Sequence, residues 1–266
     1  MNITLLKKTG SKEVINRIEL AELAAAIKSG VFKNAVTRTR EVYHLMNPHR
    51  LEDGQIDTQW EGGIKLPRIC FAADYLKRKG EWAMISYNGL AMLEVNDLQT
   101  YEKAVEIREL AKKLPETMMC FLGGSGRSVK IVCRGQMFGE YKSATKALPT
   151  EPDNIKQFHL NLYNTARRAY QNQFGFDIEF LDPRLDRTIY MSADPEMWFN
   201  PEARPFYADT ENHELPQPVV ITREEDHLMP GRTVTRTYHL NWTFIVETVM
   251  GHTISNCPMK IKRPLC

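Results

Sequence analysis

Four oxygen-bearing side chains give the first hint of chemistry. Glu94 and Asn96 close an apolar run over residues 89–96, and Asp177 and Glu179 interleave with Phe174, Phe176, Ile178 and Phe180. Successive side chains of a strand point to opposite faces. Glu94 and Asn96 therefore share a face with Met92, and Asp177 and Glu179 share the face opposite the phenylalanines. Carboxylates on neighbouring strands can hold two divalent ions that stabilise the attacking and leaving oxygens of nucleotidyl transfer. Magnesium accepts such oxygen ligands while keeping several waters. Asn96 offers a carbonyl oxygen without charge, and Asp97 is charged but alternates away from Glu94. The plainer reading is a polar strand end and a solvated acidic face.

A second cluster follows. Residues 123–128 read Gly-Gly-Ser-Gly-Arg-Ser, with Lys130 just beyond. The Gly-Lys-Ser/Thr ending of a P-loop is missing, and the next residues read as a strand rather than a helix. A glycine corner between strands can still offer backbone N–H groups to a phosphate, and Ser125, Ser128, Arg127 and Lys130 add side-chain donors. A simple hairpin corner is the competing reading.

The elements that must position these residues follow from periodicity. Residues 89–96 form a central strand. Tyr101, Ala104, Val105, Ile107, Leu110, Ala111 and Leu114 recur at helical spacing, and Pro115 ends that pattern. Residues 118–122 form a short apolar strand, and 129–132 a strand returning from the corner. Earlier in the chain, residues 2–6 suggest a strand. Residues 19–29 suggest a helix stopped by Gly30, residues 34–45 a helical or irregular segment, and 47–63 a loop. Residues 65–71 enter a strand held to an edge or start by Pro67. Beyond a break at 149–153, residues 154–174 fit a long helix ended by Gly175, and 174–181 alternate like a strand. A turn at 182–184 precedes a strand over 188–192. Five prolines make residues 193–218 irregular, and strand-like stretches follow at 219–222, 234–238 and 242–249, with a turn at 229–232.

Composition sets the bounds. The chain has 266 residues, 42% of them hydrophobic and 26% charged, with a net charge of +2, which suits a globular domain with an appendage. Charge is unevenly spread: residues 123–150 carry five Lys/Arg against one acid, and residues 151–214 carry twelve acids against six bases. A basic stretch beside an acidic one suits a polyanion groove next to a cation site. None of the five cysteines forms a Cys-x-x-Cys pair, which argues against a common zinc site. No apolar run approaches the ~20 residues of a membrane span, and no secretory signal is evident. The expectation is a reduced, cytoplasmic protein with no membrane partner.

Five short motifs in order carry a family resemblance. They are Ala26-Ile27-Lys28-Ser29-Gly30 with Arg40; Lys65-Leu66-Pro67; residues 89–98; residues 124–130; and Arg187 with residues 190–195, Asn200-Pro201 and Pro205-Phe206. On these the chain resembles, over about residues 1–206, the VirE N-terminal-like domain family of bacterial mobile elements and phages. That family is similar to the archaeo-eukaryotic primase (primase-polymerase) superfamily.

The resemblance implies roles position by position. Glu94 and Asn96 take the places of paired metal-binding aspartates, with Glu179, or else Asp177, as the third acidic position and magnesium or manganese as the ion. Lys130 stands where primase-polymerases have a nucleotide-contacting histidine. Ser125 and Arg127 approach the triphosphate or nucleic-acid backbone, and Arg187 faces the cleft. The chain departs from the pattern in carrying Glu-x-Asn for Asp-x-Asp, which removes one negative charge from the metal site, and Ser128 for the second corner glycine.

The expected fold is α+β: a primase-polymerase-like core over residues 1–212, mainly an antiparallel sheet with packed helices, then a linker and C-terminal extension over 213–266. Two functions are implied. One is a primase-type nucleotide- and nucleic-acid-binding domain of a mobile element, catalytically active or degenerate. Its partners are a nucleoside triphosphate, single-stranded or primer–template nucleic acid and a helicase. The other is a non-catalytic module that binds single-stranded nucleic acid.

Overall fold

A computed structural model describes residues 1–9, 12–45, 66–78, 81–96, 98–138, 145–176, 178, 180–211, 219–224, 233–238 and 260–261. The predicted 47–63 loop, the 229–232 turn, the 242–249 strand and the side chains of Asp97, Asp177 and Glu179 lie outside these residues. The chain divides into two compact units, Met1–Glu211 and Asn212–Cys266. The described part of the second unit is a three-stranded antiparallel sheet, in which β13 (Val219–Glu224) lies between β14 (Thr233–Tyr238) and β15 (Lys260–Ile261).

The first unit is α+β and built around two sheets and a hairpin. The first sheet has the order β10 (Ile189–Tyr190), β3 (Arg68–Cys70), β1 (Asn2–Thr9), β2 (Lys12–Glu19), all antiparallel. The second is centred on β8 (Val129–Phe138). On β8 pair β6 (Leu90–Val95), β7 (Thr117–Leu122) and β9 (Thr145–Lys146), all antiparallel, and β12 (Phe206–Ala208), which runs parallel; β11 (Trp198–Phe199) extends the sheet beyond β7. The hairpin is β4 (Ala73–Arg78) with β5 (Glu81–Tyr87). Among the described residues the unit has four helices: α1 (Leu20–Ser29), α2 (Lys33–Leu45), α3 (Tyr101–Ala111) and α4 (Pro152–Phe174).

Strand alternation explains the two-layered core. Leu90 and Met92 of β6, Met119 and Phe121 of β7 and Val132 of β8 face a cluster that includes Leu23 and Ile27 of α1 and Ile3 of β1. Ala91, Leu93, Cys120, Ile131 and Cys133 point the other way, onto Ala104 and Ile107 of α3 and Phe158, Leu162 and Ala166 of α4. The central sheet is thus buried on both faces, which is why β6 and β7 read as continuous apolar runs. Their side chains are buried throughout.

Helix ends follow the expected chemistry. The Thr100 hydroxyl accepts from the Lys103 N–H to cap α3. Gly175 closes α4 at φ 68°, a left-handed position that favours glycine.

One element differs from its sequence pattern. The described residues between Gly175 and Leu181 form no strand. The alternation is real, but its apolar members pack on α4 instead of pairing. Phe176 stacks on Phe174 at 5.8 Å, Phe180 meets Tyr163 edge-on, and Ile178 is fully buried.

Candidate phosphate site at the end of the central sheet

Register brings the first site residues together. Glu94 lies directly opposite Lys130 in the β6–β8 ladder, and Lys130 lies opposite Phe121 in the β7–β8 ladder. All three belong to the face that carries Leu90, Met92 and Val132, so Glu94 and Lys130 end a buried apolar face as a charged cross-strand pair. The Lys130 ammonium donates to Glu94 Oε2 in a short contact and to Asn96 Oδ1 at 2.8 Å. The other carboxylate oxygen, Glu94 Oε1, accepts from Arg187 Nε at 3.1 Å and Nη2 at 2.8 Å. Glu94 and Lys130 are 7% and 8% exposed, so this attraction acts with little solvent screening.

Electrostatics fix the state of the pair. Burial raises the Glu94 pKa, but the charges and hydrogen bonds of Lys130 and Arg187 together outweigh burial and hold it below the ordinary carboxylate value. Glu94 is therefore ionised and carries two cationic partners.

The corner after β7 leaves room for this arrangement. A side chain at Gly123 would place its Cβ 2.1 Å from Ser128 Oγ and 3.1 Å from Lys130 Cε, so glycine lets Ser128 and the lysine stem lie over the backbone. Gly126 adopts φ 75°, and a Cβ there would come within 3.2 Å of Arg40 Nε. Ser125 Oγ accepts from the Arg127 N–H at 3.2 Å, and the Arg127 carbonyl accepts from the Leu98 N–H. These contacts hold the corner against the loop that follows Asn96.

Arg40 enters from α2. Its Nη2 donates to the Ala193 carbonyl at 3.1 Å, while its buried Nε finds no hydrogen-bond partner among the described residues. Burial lowers its pKa, opposed by Tyr101 and Asp194. Among the described residues, Lys130 and Arg187 thus flank the Glu94 carboxylate, while Arg40 lies against the corner at Gly126 with Asp194 in electrostatic reach.

A clamp holds the segment that supplies Arg187 and Ala193. Asp194 is 2% exposed, accepts from Arg108 Nη1 at 2.5 Å and from the Leu122 N–H at 2.9 Å, and Ser192 Oγ donates to the Leu122 carbonyl. The Met191 N–H donates to the Pro67 carbonyl. In the sequence Ser192 and Asp194 belong to a motif that assigns them no task. The available signal is Arg108, an arginine in register with Ala104 and Ala111 on the buried face of α3, since a guanidinium there needs a buried acid.

The oxygens expected to hold a divalent ion are already engaged. Both Glu94 oxygens and Asn96 Oδ1 accept from Lys130 or Arg187. Among the described residues no group of three His, Cys, Asp or Glu side chains could hold a metal. Asp177 and Glu179, the expected third position, lie outside those residues. The described side chains therefore fit resident ammonium and guanidinium groups, not magnesium or manganese.

No helix among the described residues is long and apolar enough to cross a membrane. A family model, BT4734-like, N-terminal domain, matches residues 64–199, just over half of the chain. The match includes Glu94, Asn96, Ser125, Arg127, Lys130 and Arg187. No curated protein and no solved structure matches the chain.

Proposed function

The chain belongs to the BT4734-like N-terminal domain family, and from that premise and the site's charge we propose a domain that binds phosphates of single-stranded nucleic acid or of a nucleotide. One observation carries the reading: two cationic side chains, Lys130 and Arg187, share one buried carboxylate, Glu94, beside a glycine–serine corner. Lys130 has three N–H donors, and Glu94 and Asn96 take two of them. The remaining donor and the serine hydroxyls of the corner suit a phosphate oxygen. Because the cations neutralise Glu94 and still leave positive charge in excess, the binding needs no divalent ion. The motif resemblance to the VirE N-terminal-like domains and to primase-polymerases supports the same ligand class, in a replication protein of a mobile element working beside a helicase.

Anisotropy of a fluorescein-labelled oligothymidylate, titrated in EDTA and in magnesium at several salt concentrations, tests this. Binding should persist in EDTA and weaken steeply with salt. Lys130→Met or Arg187→Met, each removing one cation from the phosphate backbone, should shrink the log–log slope by about 0.7. Absent or salt-independent binding rejects the reading.

The primase resemblance also supplies a catalytic reading, primer synthesis with magnesium or manganese. It requires Lys130 and Arg187 to release Glu94. Template-directed product that disappears in Glu94→Ala would establish it, and no product under either ion would reject it.

A further inference from the structure

Arg187 faces two ways. Besides gripping Glu94, it lines an open pocket of about 630 Å³. The pocket is bounded by Arg68 of β3, Trp82 of β5 and the segment bearing Asp182, Arg184, Asp186 and Arg187. The walls are preformed. The 182–187 segment folds back through the Arg184 N–H to the Asp182 carbonyl and the Arg187 N–H to the Arg184 carbonyl, and Cys70 Sγ donates to the Leu185 carbonyl. Trp82 is half-buried against Tyr75, their ring centroids 5.6 Å apart, so the indole is held in place rather than swinging free.

We propose that this pocket is a nucleobase subsite, in which one base of a single strand stacks on Trp82 while its backbone phosphate lies at Lys130 and Arg187. The volume is in the range of small-molecule sites. The indole gives a sequence-tolerant stacking surface, and guanidinium planes add cation–π contact. Asp182 and Asp186 supply acceptors for exocyclic amines, the Asp186 oxygens also accepting from Arg184 Nε and Nη2. The shared Arg187 sets the spacing between base and phosphate. This inference rests on the nucleic-acid reading above, and its test separates the two.

The probe is an oligothymidylate carrying iodouracil, used with the full chain. Trp82→Leu should weaken binding roughly 5- to 150-fold with the salt slope unchanged, because it removes stacking and leaves the charge in place. Trp82→Phe should retain most of the affinity. Photocrosslinking of the wild type should map to the peptide containing Trp82. Wild-type affinity in a folded Trp82→Leu, with crosslinks elsewhere, overturns the pocket; if Lys130→Met still weakens binding, the phosphate reading stands. No binding by the wild type removes both. Should Trp82→Leu fail to fold, Arg184→Ser decides together with the crosslink. Its side chain is 65% exposed in a surface pair with Asp186; it should lose affinity several-fold at unchanged salt slope if a base is bound there, and any loss should track the salt slope if not.

Discussion

Glu94 and Lys130 form a buried pair whose value depends on both members. Removing one partner of such a pair usually costs about 3 kcal/mol, because the other charge is left without compensation. Lys130→Met should accordingly destabilise the domain by about that amount in urea titrations, less whatever Arg187 recovers. Adding Glu94→Gln should restore part of the loss, and the coupling in the double-mutant cycle measures the pair. His159 makes a second prediction. It is 4% exposed, with Nδ1 3.1 Å from the Tyr87 hydroxyl, and burial lowers its pKa from 6.5 to about 4. Between those values the unfolded chain binds a proton that the folded chain refuses. Its contribution is therefore complete above pH 6.5 and is lost progressively down to pH 4, by about 3 kcal/mol. Glu94, with its depressed pKa, adds loss at lower pH still, as the carboxylate protonates. Denaturation midpoints across this range should fall in the wild type and fall less in His159→Gln.

The corner between β7 and β8 depends on a missing side chain. Gly123→Ala should cost about 1–3 kcal/mol, since its methyl would collide with Ser128 Oγ in a packed site. The double variant Gly123→Ala/Ser128→Gly should regain much of that, read by thermal melts. Elements of this kind are legible where a pattern is long or strongly apolar. The β6 run and α4 with its Gly175 stop stand in the sequence at nearly their true bounds, α3 stands there by its apolar spacing, and the strand after the corner is legible only over 129–132 of its ten residues. The antiparallel α+β character is legible too. The hairpin β4–β5 is not, because its β5 face is largely exposed and carries no clean alternation. β2 escapes for a similar reason: Val14 is 43% exposed while Arg17 ties the strand to Asp74 through an ion pair. The 174–181 alternation misleads because period two records which residues are buried, not what buries them. At the site, Glu94, Asn96 and Lys130 can be named from strand phase, but that Lys130 donates to both of the others depends on register, which only long-range pairing sets. Arg187 comes from the resemblance alone, and the work of Arg40 and Asp194 requires the folded chain.

At the scale of the molecule, both cores and every described site residue lie within Met1–Glu211. The end of that unit is tied down, for Asn161 Nδ2 donates to the Asp209 and Glu211 carbonyls. A chain ending at Glu211 should therefore melt within about 4 °C of the corresponding transition in the whole protein and bind oligothymidylate with unchanged affinity. A shift well beyond that would mean the remaining residues stabilise the first unit. The pairing of β8 carries a wider consequence. Four strands are stitched to it, and Lys130 is one of its own residues. Sliding that strand by a single step would turn the ammonium away from its carboxylate and at once undo every ladder beside it. Descendants of this chain can thus exchange the groups at the cleft one at a time, but the frame presenting them has almost no freedom to drift, so new ligand preferences should arise by substitution on an unmoving scaffold.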